Sequence, residues 1–178
     1  MSIRMATESD LPAVLDIHRR AFGQETEANL VREILTDPSA RPALSLLAAG
    51  GGRPLGHVLF TAAHLSPPDR DVSAVLLAPL AVLPEGQGKG LGSRLIEAGL
   101  ARLTGQAVDL VFVLGDPQFY GRFGFAPASP LGLAAPFPLP NAYADAWRVK
   151  TLQENLPGRF DARVTCCDAL NRPELWQD

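Results

Sequence analysis

The sequence has little cysteine and no excess of basic residues. Only two of its 178 residues are cysteines, and because Cys166 and Cys167 are adjacent, they cannot build the disulfide framework of a small secreted domain. Sixteen lysines and arginines stand against nineteen aspartates and glutamates, and no block of like charge marks a surface for DNA or RNA. We predict a protein of a reducing compartment that has no nucleic-acid partner.

Hydrophobic runs long enough to cross a membrane are also missing. The charge-free stretch from Val72 to Pro84 is interrupted by Pro79 and is shorter than the ~18–20 residues that span a bilayer. The first eight residues carry no apolar segment followed by a cleavage site, which an export signal requires. These absences predict a cytoplasmic protein with no membrane partner.

Strand-like and helix-like patterns alternate along the chain. Apolar residues at helical spacing predict one helix near the N-terminus and a second from Glu25 to Leu35. Apolar runs from Leu44 to Ala49 and from Gly56 to Leu65 predict a hairpin with a loop of about four or five residues. The stretch from Val72 to Leu83 is typical of a buried central strand, but Pro79 cannot donate to a ladder, so we expect a bulge or splay there.

A strand–helix–strand unit follows. An amphipathic helix begins after a glycine-rich loop, and Val108 to Leu114 is typical of another buried strand, so helices are expected to pack against a central sheet in a mixed α/β fold. The length of 178 residues corresponds to one domain. We predict a single domain over residues 1–178, with a core at 1–125, a proline-rich connection at 126–141, and C-terminal strands at 142–178 that complete the sheet.

The glycine-rich loop predicts an anion-binding site. Gly86, Gly88, Gly90 and Gly92 lie between a strand and a helix, where glycine lets the backbone approach a ligand and the helix N-terminus attracts negative charge. Lys89 adds a positive charge. Neither common nucleotide pattern fits, because a P-loop requires Ser or Thr after the lysine, and no frame supplies the third glycine of a dinucleotide loop.

Two motifs, in the right order along the chain, carry a family resemblance. They are the spacing Gln87-x-x-Gly90-x-Gly92 and the segment from Tyr120 to Phe125. The first resembles the pyrophosphate loop, and the second the Tyr-x-x-x-Gly-Phe segment, of the GNAT superfamily of acyl-CoA-dependent N-acyltransferases, in particular its YhbS-like branch. The resemblance covers residues 3–125. It implies a central twisted mixed sheet of about six or seven strands that splays after the fourth strand, flanked by about four helices.

The resemblance also implies a function. An acetyl group would pass from acetyl-CoA, a co-substrate used without a metal, to a primary amine of a small molecule or peptide by direct attack in a ternary complex. Tyr120 would protonate the departing coenzyme A sulfur. The cofactor would contact the strand end and the loop at Leu80, Ala81, Val82, Gln87, Gly88, Lys89, Gly90, Leu91, Gly92 and Ser93. The alternative is a non-catalytic acyl-CoA-binding sensor, which needs no acid beside the sulfur.

Departures from the family pattern leave parts of the site open. Residues 115–117 are Gly-Asp-Pro, where many members carry an asparagine that contacts the pantetheine arm. The predicted fourth and fifth strands contain no carboxylate, so the general base is open among His57, His64, Glu25, Glu27 and water. The acyl-chain preference and the oligomeric state, a homodimer included, are open as well.

The proline-rich stretch from Pro127 to Pro140 has two interpretations, because long loops without secondary structure are often functional. It either connects elements across the surface or forms a wall of the acceptor site. In the second interpretation its apolar side chains would suit an apolar or aromatic amine better than a polycation. These side chains are Leu131, Leu133, Phe137 and Leu139.

Overall fold

The computed structural model describes residues 1–177 and shows the predicted mixed α/β fold. Its α-helices are Leu11–Phe22 (α1), Thr26–Leu35 (α2), Leu91–Gly105 (α3) and Pro117–Gly121 (α4). Its strands are Ser2–Met5 (β1), Leu44–Gly50 (β2), Arg53–Ser66 (β3), Ala74–Val82 (β4), Leu110–Leu114 (β5), Ala126–Pro127 (β6), Leu133–Ala134 (β7), Trp147–Thr151 (β8) and Ala162–Thr165 (β9). The described residues include no helix that is long and apolar enough to cross a membrane.

The nine strands of the described chain form one sheet, more than the predicted six or seven, because the short strands β7 and β9 add to a main path of seven in the order β1-β2-β3-β4-β5-β8-β6. Neighbours on this path are antiparallel except β4 and β5, which run parallel. β9 adds to the sheet by pairing with β3 and β7. A parallel pair needs a crossover connection, and α3 supplies it.

The β2–β3 hairpin is tighter than predicted. The two strands pair as far as Gly50 and Arg53, so only Gly51 and Gly52 connect them. These glycines have φ values of 59° and 77°, and such two-residue turns require the left-handed conformation that glycine adopts without strain. The prediction of a loop of four or five residues is therefore wrong.

Different helices cover the two faces of the sheet. α1 and α2 pack on one face, where Val14 and Ala81 belong to the same buried cluster. α3 packs on the other face, where Leu80 and Val82 contact the cluster that contains Leu95. Because successive side chains on a strand point to opposite faces, the end of β4 presents Leu80 and Val82 towards α3 and Ala81 towards α1.

β4 and β5 separate halfway along the sheet, as predicted. Their parallel pairing ends at Leu77. Just beyond it, Ala78 and Pro79 together oppose the single β3 residue Leu59, which is a β-bulge, and Pro79 has no N–H to donate to a neighbouring strand. Within the described chain, residues 80–82 therefore pair with β3 on one edge and with no strand on the other.

The proline-rich stretch covers the core. It contains β6 and β7, and Leu133 is fully buried. Leu131, Phe137 and Leu139 pack against the same core cluster, around Trp147. This packing supports the interpretation of the stretch as a connection across the core and not as the wall of an acceptor site.

Candidate active site

The glycine-rich loop lies open at the end of β4. Gly88 and Gly90 have φ values of 74° and 78°, and a Cβ added at either would meet no atom within 4 Å. Gln87 anchors the loop, because its Nε2 donates to the carbonyl oxygen of Val82 at 3.0 Å. The loop is therefore held at one end and leaves its glycine backbone accessible to a ligand.

The first turn of α3 offers N–H groups to the same space. Gly90 precedes the helix, and among the described residues no side chain caps it. Arg94 makes a hydrogen bond from its backbone N–H to the Gly90 carbonyl at 3.0 Å, so the N–H groups of Leu91, Gly92 and Ser93 have no acceptor within the helix. Free amides at the positive end of a helix dipole bind phosphate groups.

A cleft of about 320 Å³ extends from this loop to α4. The sequence motifs did not point to Arg122, which lines it. Nη2 of Arg122 donates to Ser93 Oγ at 3.2 Å, and the guanidinium lies 4.9 Å from the ring centre of Phe119. Lys89, a predicted contact, lines a neighbouring hollow instead. The residues of the cleft are Val82, Gly86, Gln87, Gly88, Gly90, Leu91, Gly92, Ser93, Phe119 and Arg122.

The unpaired edge of β4 leads from this cleft to a larger cavity. Val82 lines the cleft and Leu80 lines the cavity. Gly92 lies beside both, since a Cβ added there would be 3.8 Å from Val82 and 3.9 Å from Leu80. The side chain of Ala81 is buried beneath α1, so only its backbone can contribute to this path.

Tyr120 lies in the larger cavity, which measures about 730 Å³ and includes Pro79 and Leu80 at the point where the strands separate. α4 carries Tyr120, and Asp116 caps that helix by accepting a hydrogen bond from the backbone N–H of Gln118 at 2.9 Å. The Tyr120 ring packs so closely on Gly115 that a Cβ at that position would collide with it.

The surroundings of Tyr120 keep its hydroxyl protonated. Burial, with a further contribution from the Asp116 carboxylate, raises the pKa of Tyr120 to about 12. The phenol is therefore neutral at pH 7 and can donate a hydrogen bond or a proton. Its ring packs edge-on against Phe119 and Phe125, with centroids 5.0 and 5.7 Å away, and these contacts fix the orientation of the side chain.

His57 lies in the core, outside the cavity lining. It belongs to β3 and is fully buried against α1. Its Nδ1 lies 2.8 Å from Nε2 of His18, and its Nε2 lies 2.8 Å from Oγ of Ser45. Burial, with repulsion from His18, lowers the pKa of His57 to about 3, and burial lowers the pKa of His18 to about 4. Both rings are neutral at pH 7. No pattern in the sequence indicated that His18 would pair with His57.

Of the four side chains considered as general base, Glu27 lines the cavity. His64 is exposed near the far end of β3, opposite Thr165 of β9, and Glu25 pairs with Arg19 on the surface. Oε2 of Glu27 is buried and has no hydrogen-bond partner in the described chain. Because a buried carboxylate oxygen without a partner is unfavourable, this atom is suited to a donor that enters the cavity.

The path therefore combines free amides, an unpaired strand edge, a protonated phenol and a carboxylate. Within residues 1–177, no three His, Cys, Asp or Glu side chains are grouped so that they could hold a metal ion. Residues 2–128 match the family model of the acetyltransferase (GNAT) domain. The chain belongs to the GNAT family of acetyltransferases, as the motifs predicted.

Individual relatives agree with this assignment. The uncharacterized N-acetyltransferase YjhQ of Escherichia coli K12 is 40% identical over 168 residues, which cover 94% of this chain and 92% of YjhQ. The crystal structure of E. coli YhbS in complex with CoA has a TM-score of 0.82 at 30% identity and covers 96% of this chain and 92% of its own. A GNAT acetyltransferase of Brucella melitensis in complex with acetyl-CoA has a TM-score of 0.73 at 26% identity, covering 95% and 97%. The predicted enzyme class and fold are confirmed.

Proposed function

We propose that this protein transfers an acetyl group from acetyl-CoA to a primary amine. The observation that carries the proposal is the position of Tyr120, a buried and protonated phenol in a cavity at the opened edge of β4. That cavity adjoins a cleft whose free amides suit a phosphate group. A site that only bound an acyl-CoA would have no use for an acid at this point.

The cofactor binds along the path from the loop to the cavity. Its pyrophosphate accepts hydrogen bonds from the amides of Leu91, Gly92 and Ser93, and Arg122 faces the same cleft. Its pantetheine arm lies along residues 80–82, whose outer edge has no strand partner in the described chain. The YhbS and Brucella relatives were crystallised in complex with CoA and acetyl-CoA, which supports acyl-CoA as the ligand of this chain.

Acyl transfer requires a neutral amine, donors for the developing oxyanion and a proton for the leaving thiolate. The amine nitrogen attacks the thioester carbonyl, and the C–S bond breaks as the new C–N bond is completed. Tyr120 gives its proton to the coenzyme A sulfur. Glu27, directly or through a water molecule, takes the proton that the nitrogen loses. Backbone N–H groups at residues 80–82 polarise the carbonyl.

Transfer is direct in this proposal, because no cysteine, serine or lysine that could carry the acetyl group is among the cavity-lining residues of the described chain. Neither Cys166 nor Cys167 lines the cavity. Burial raises the pKa of both thiols, that of Cys166 to about 12, so neither is a reactive thiolate at neutral pH. Amine and acetyl-CoA must therefore be bound together.

Initial rates with a panel of primary amines test this proposal. We expect equal amounts of acetylated amine and free CoA, detected by mass spectrometry and a thiol reagent. Double-reciprocal plots at several fixed amine concentrations should give intersecting lines, because a ping-pong reaction through an acyl-enzyme gives parallel ones. Parallel lines would contradict direct transfer. Acetyl-CoA binding without acetylation of any amine would favour the sensor.

A further inference from the structure

We propose that the acceptor amine carries a second positive charge, and that Asp116 and Asp145 hold this charge at the mouth of the larger cavity. The inference rests on the proposed function, since it names the class of amine that is acetylated. The occupant is an aliphatic diamine or polyamine, one end of which reacts while another amino group stays protonated.

The first support is the charge of the cavity lining. Its carboxylates belong to Glu27, Asp116 and Asp145, and no lysine, arginine or histidine is among the lining residues of the described chain. Three lining carboxylates, of which Asp145 alone has a neighbouring cation in the described chain, Arg148 at 3.4 Å, leave an excess of negative charge that attracts cations. The cleft at the other end of the path contains Arg122, and no carboxylate is among its lining residues in the part of the chain that the structure describes. The two ends are therefore matched to ligands of opposite charge.

The second support is Glu27, whose buried Oε2 has no hydrogen-bond partner in the described chain. It lies in the same cavity as Tyr120, and because its Oε1 already accepts a hydrogen bond from Gln24 at 3.3 Å, Oε2 is the oxygen available to a donor that enters the cavity. Glu27 serves the reacting nitrogen, so the carboxylates of Asp116 and Asp145 remain for a second charge.

Both aspartates have acceptor capacity left. Oδ1 of Asp116 accepts the cap hydrogen bond from Gln118, and its side chain is otherwise exposed. The side chain of Asp145 is 70% exposed and meets Arg148 through a contact of 3.4 Å. Arg148 makes shorter hydrogen bonds to the carbonyl oxygens of Phe125 and Asp145, at 3.1 and 2.9 Å. A carboxylate accepts several hydrogen bonds, so an ammonium group can bind at either position.

The aromatic side chains at the opening of the cavity suit an amine whose carbon chain is aliphatic. Phe137 and Leu139 of the proline-rich stretch are partly buried and pack against the core cluster around Trp147. Phe22 and Tyr143 line the cavity instead and are 44% and 41% exposed. Exposed aromatic faces contact methylene groups and attract ammonium ions. These residues can contact both the methylene chain and the ammonium group of a cationic aliphatic amine.

The test compares 1-aminobutane with 1,4-diaminobutane and 1-aminohexane with 1,6-diaminohexane. The ratio of kcat/KM for the diamine to that for its monoamine is measured in the wild-type protein and in the double variant Asp116→Asn/Asp145→Asn. Asparagine at position 116 still caps α4. Differences in amine basicity, and any effect on Tyr120, cancel when this ratio is compared between proteins. We expect the ratio to fall about five- to tenfold, as the loss of two exposed ion pairs implies.

The double variant Asp16→Asn/Glu25→Gln is the matched control, because it removes two exposed carboxylates outside the cavity lining. Its ratio should equal that of the wild type. The difference between the two double variants should fade at ~0.5 M salt, since exposed charges are screened there. An unchanged ratio in Asp116→Asn/Asp145→Asn, or an equal fall in both double variants, would overturn the inference. The proposed function would still hold in that case, because the wild-type protein would have acetylated the amines.

A binding measurement separates the two proposals if no amine in the set is acetylated. The proposed function then fails for these amines, and the inference is judged by melting temperature in saturating CoA. 1,6-Diaminohexane should raise the melting temperature of the wild-type complex and not that of Asp116→Asn/Asp145→Asn. An equal shift in both proteins, or none in either, would overturn the inference.

Discussion

Arg122 joins the two motif segments through one side chain. Its guanidinium lies beside the contacting rings of Phe119 and Phe123, 4.9 and 5.5 Å from their centres, and it donates to Ser93 at the start of α3. Arginine carries five N–H donors in a planar fork that matches phosphate. Ser93 is the one acceptor found for it in the described chain, so most of these donors can face a cofactor phosphate in the cleft.

Replacing Arg122 by alanine should therefore weaken cofactor binding. We expect Arg122→Ala to raise the KM for acetyl-CoA about tenfold, the effect of losing a charge-assisted hydrogen bond, with little change in kcat. Arg102→Ala, at an exposed position in the last turn of α3, is the control and should keep the wild-type KM. Equal KM values for the two variants would show that Arg122 only packs against the phenylalanines.

The buried histidine pair makes stability depend on pH. The pKa values of His18 and His57 are lowered to about 4 and about 3, whereas an unfolded histidine titrates near ~6.5. Below pH ~6.5 the unfolded chain takes up protons that the folded chain does not, so the free energy of unfolding falls as the pH drops towards about 4. Above pH ~6.5 the pair has no such effect.

Urea unfolding at pH 7 and pH 5 measures this effect. Removing one titrating ring with His57→Gln should reduce the loss of unfolding free energy between these two pH values by about 2 kcal/mol. His64→Gln, which changes an exposed histidine, should leave the wild-type pH dependence intact. If His57→Gln keeps that dependence too, the buried pair is not its source.

At the scale of elements, the loop before α3 and the bulge in β4 work together. The loop turns the chain so that the amides of α3 face the cleft, and the bulge ends the pairing of β4 with β5 beside it. Both followed from the sequence because they depend on local rules: glycine at 88 and 90 permits left-handed turns, and Pro79 interrupts a ladder.

Gly90→Glu tests the loop. It adds a carboxylate where the cofactor phosphates should bind and strains a backbone with φ of 78°. We expect acetyl-CoA to raise the melting temperature of the wild-type protein and to have no effect on the variant. Gly23→Glu is the matched control, because Gly23 also has a positive φ, of 72°, and no atom within 4 Å of an added Cβ. It should lose similar stability, and acetyl-CoA should still raise its melting temperature. Loss of the shift in both variants would attribute the effect to strain.

Other features of the site depend on contacts between distant parts of the chain. The pair of His18 and His57 joins residues 39 positions apart, and hydrophobic spacing gives no sign of it. Leu133 and Phe137 are apolar residues in a proline-rich segment, a pattern that fits a pocket wall as well as a core cover. Only the packing around Trp147 decides between them.

At the scale of the molecule, the site runs across the sheet from a basic cleft to an acidic cavity. The cleft contains Arg122 and the cavity contains Glu27, with the separated strands between them. We propose that residues 1–178 form one domain, since the buried cluster around Trp147 draws on both the N-terminal and the C-terminal parts of the chain. In the reaction we propose, the cofactor comes from the cleft and the amine from the cavity, so the two reach the reacting carbon from different sides.

Turnover of Tyr120→Phe, measured together with acetyl-CoA binding, tests the central claim most directly. The variant removes only the hydroxyl and keeps the ring that packs against Phe119 and Phe125. We predict that kcat falls by ~10²–10⁴, the range for losing a positioned acid, while acetyl-CoA raises the melting temperature as much as in the wild type. Wild-type turnover at saturating substrates would contradict the account and leave Tyr120 a packing residue.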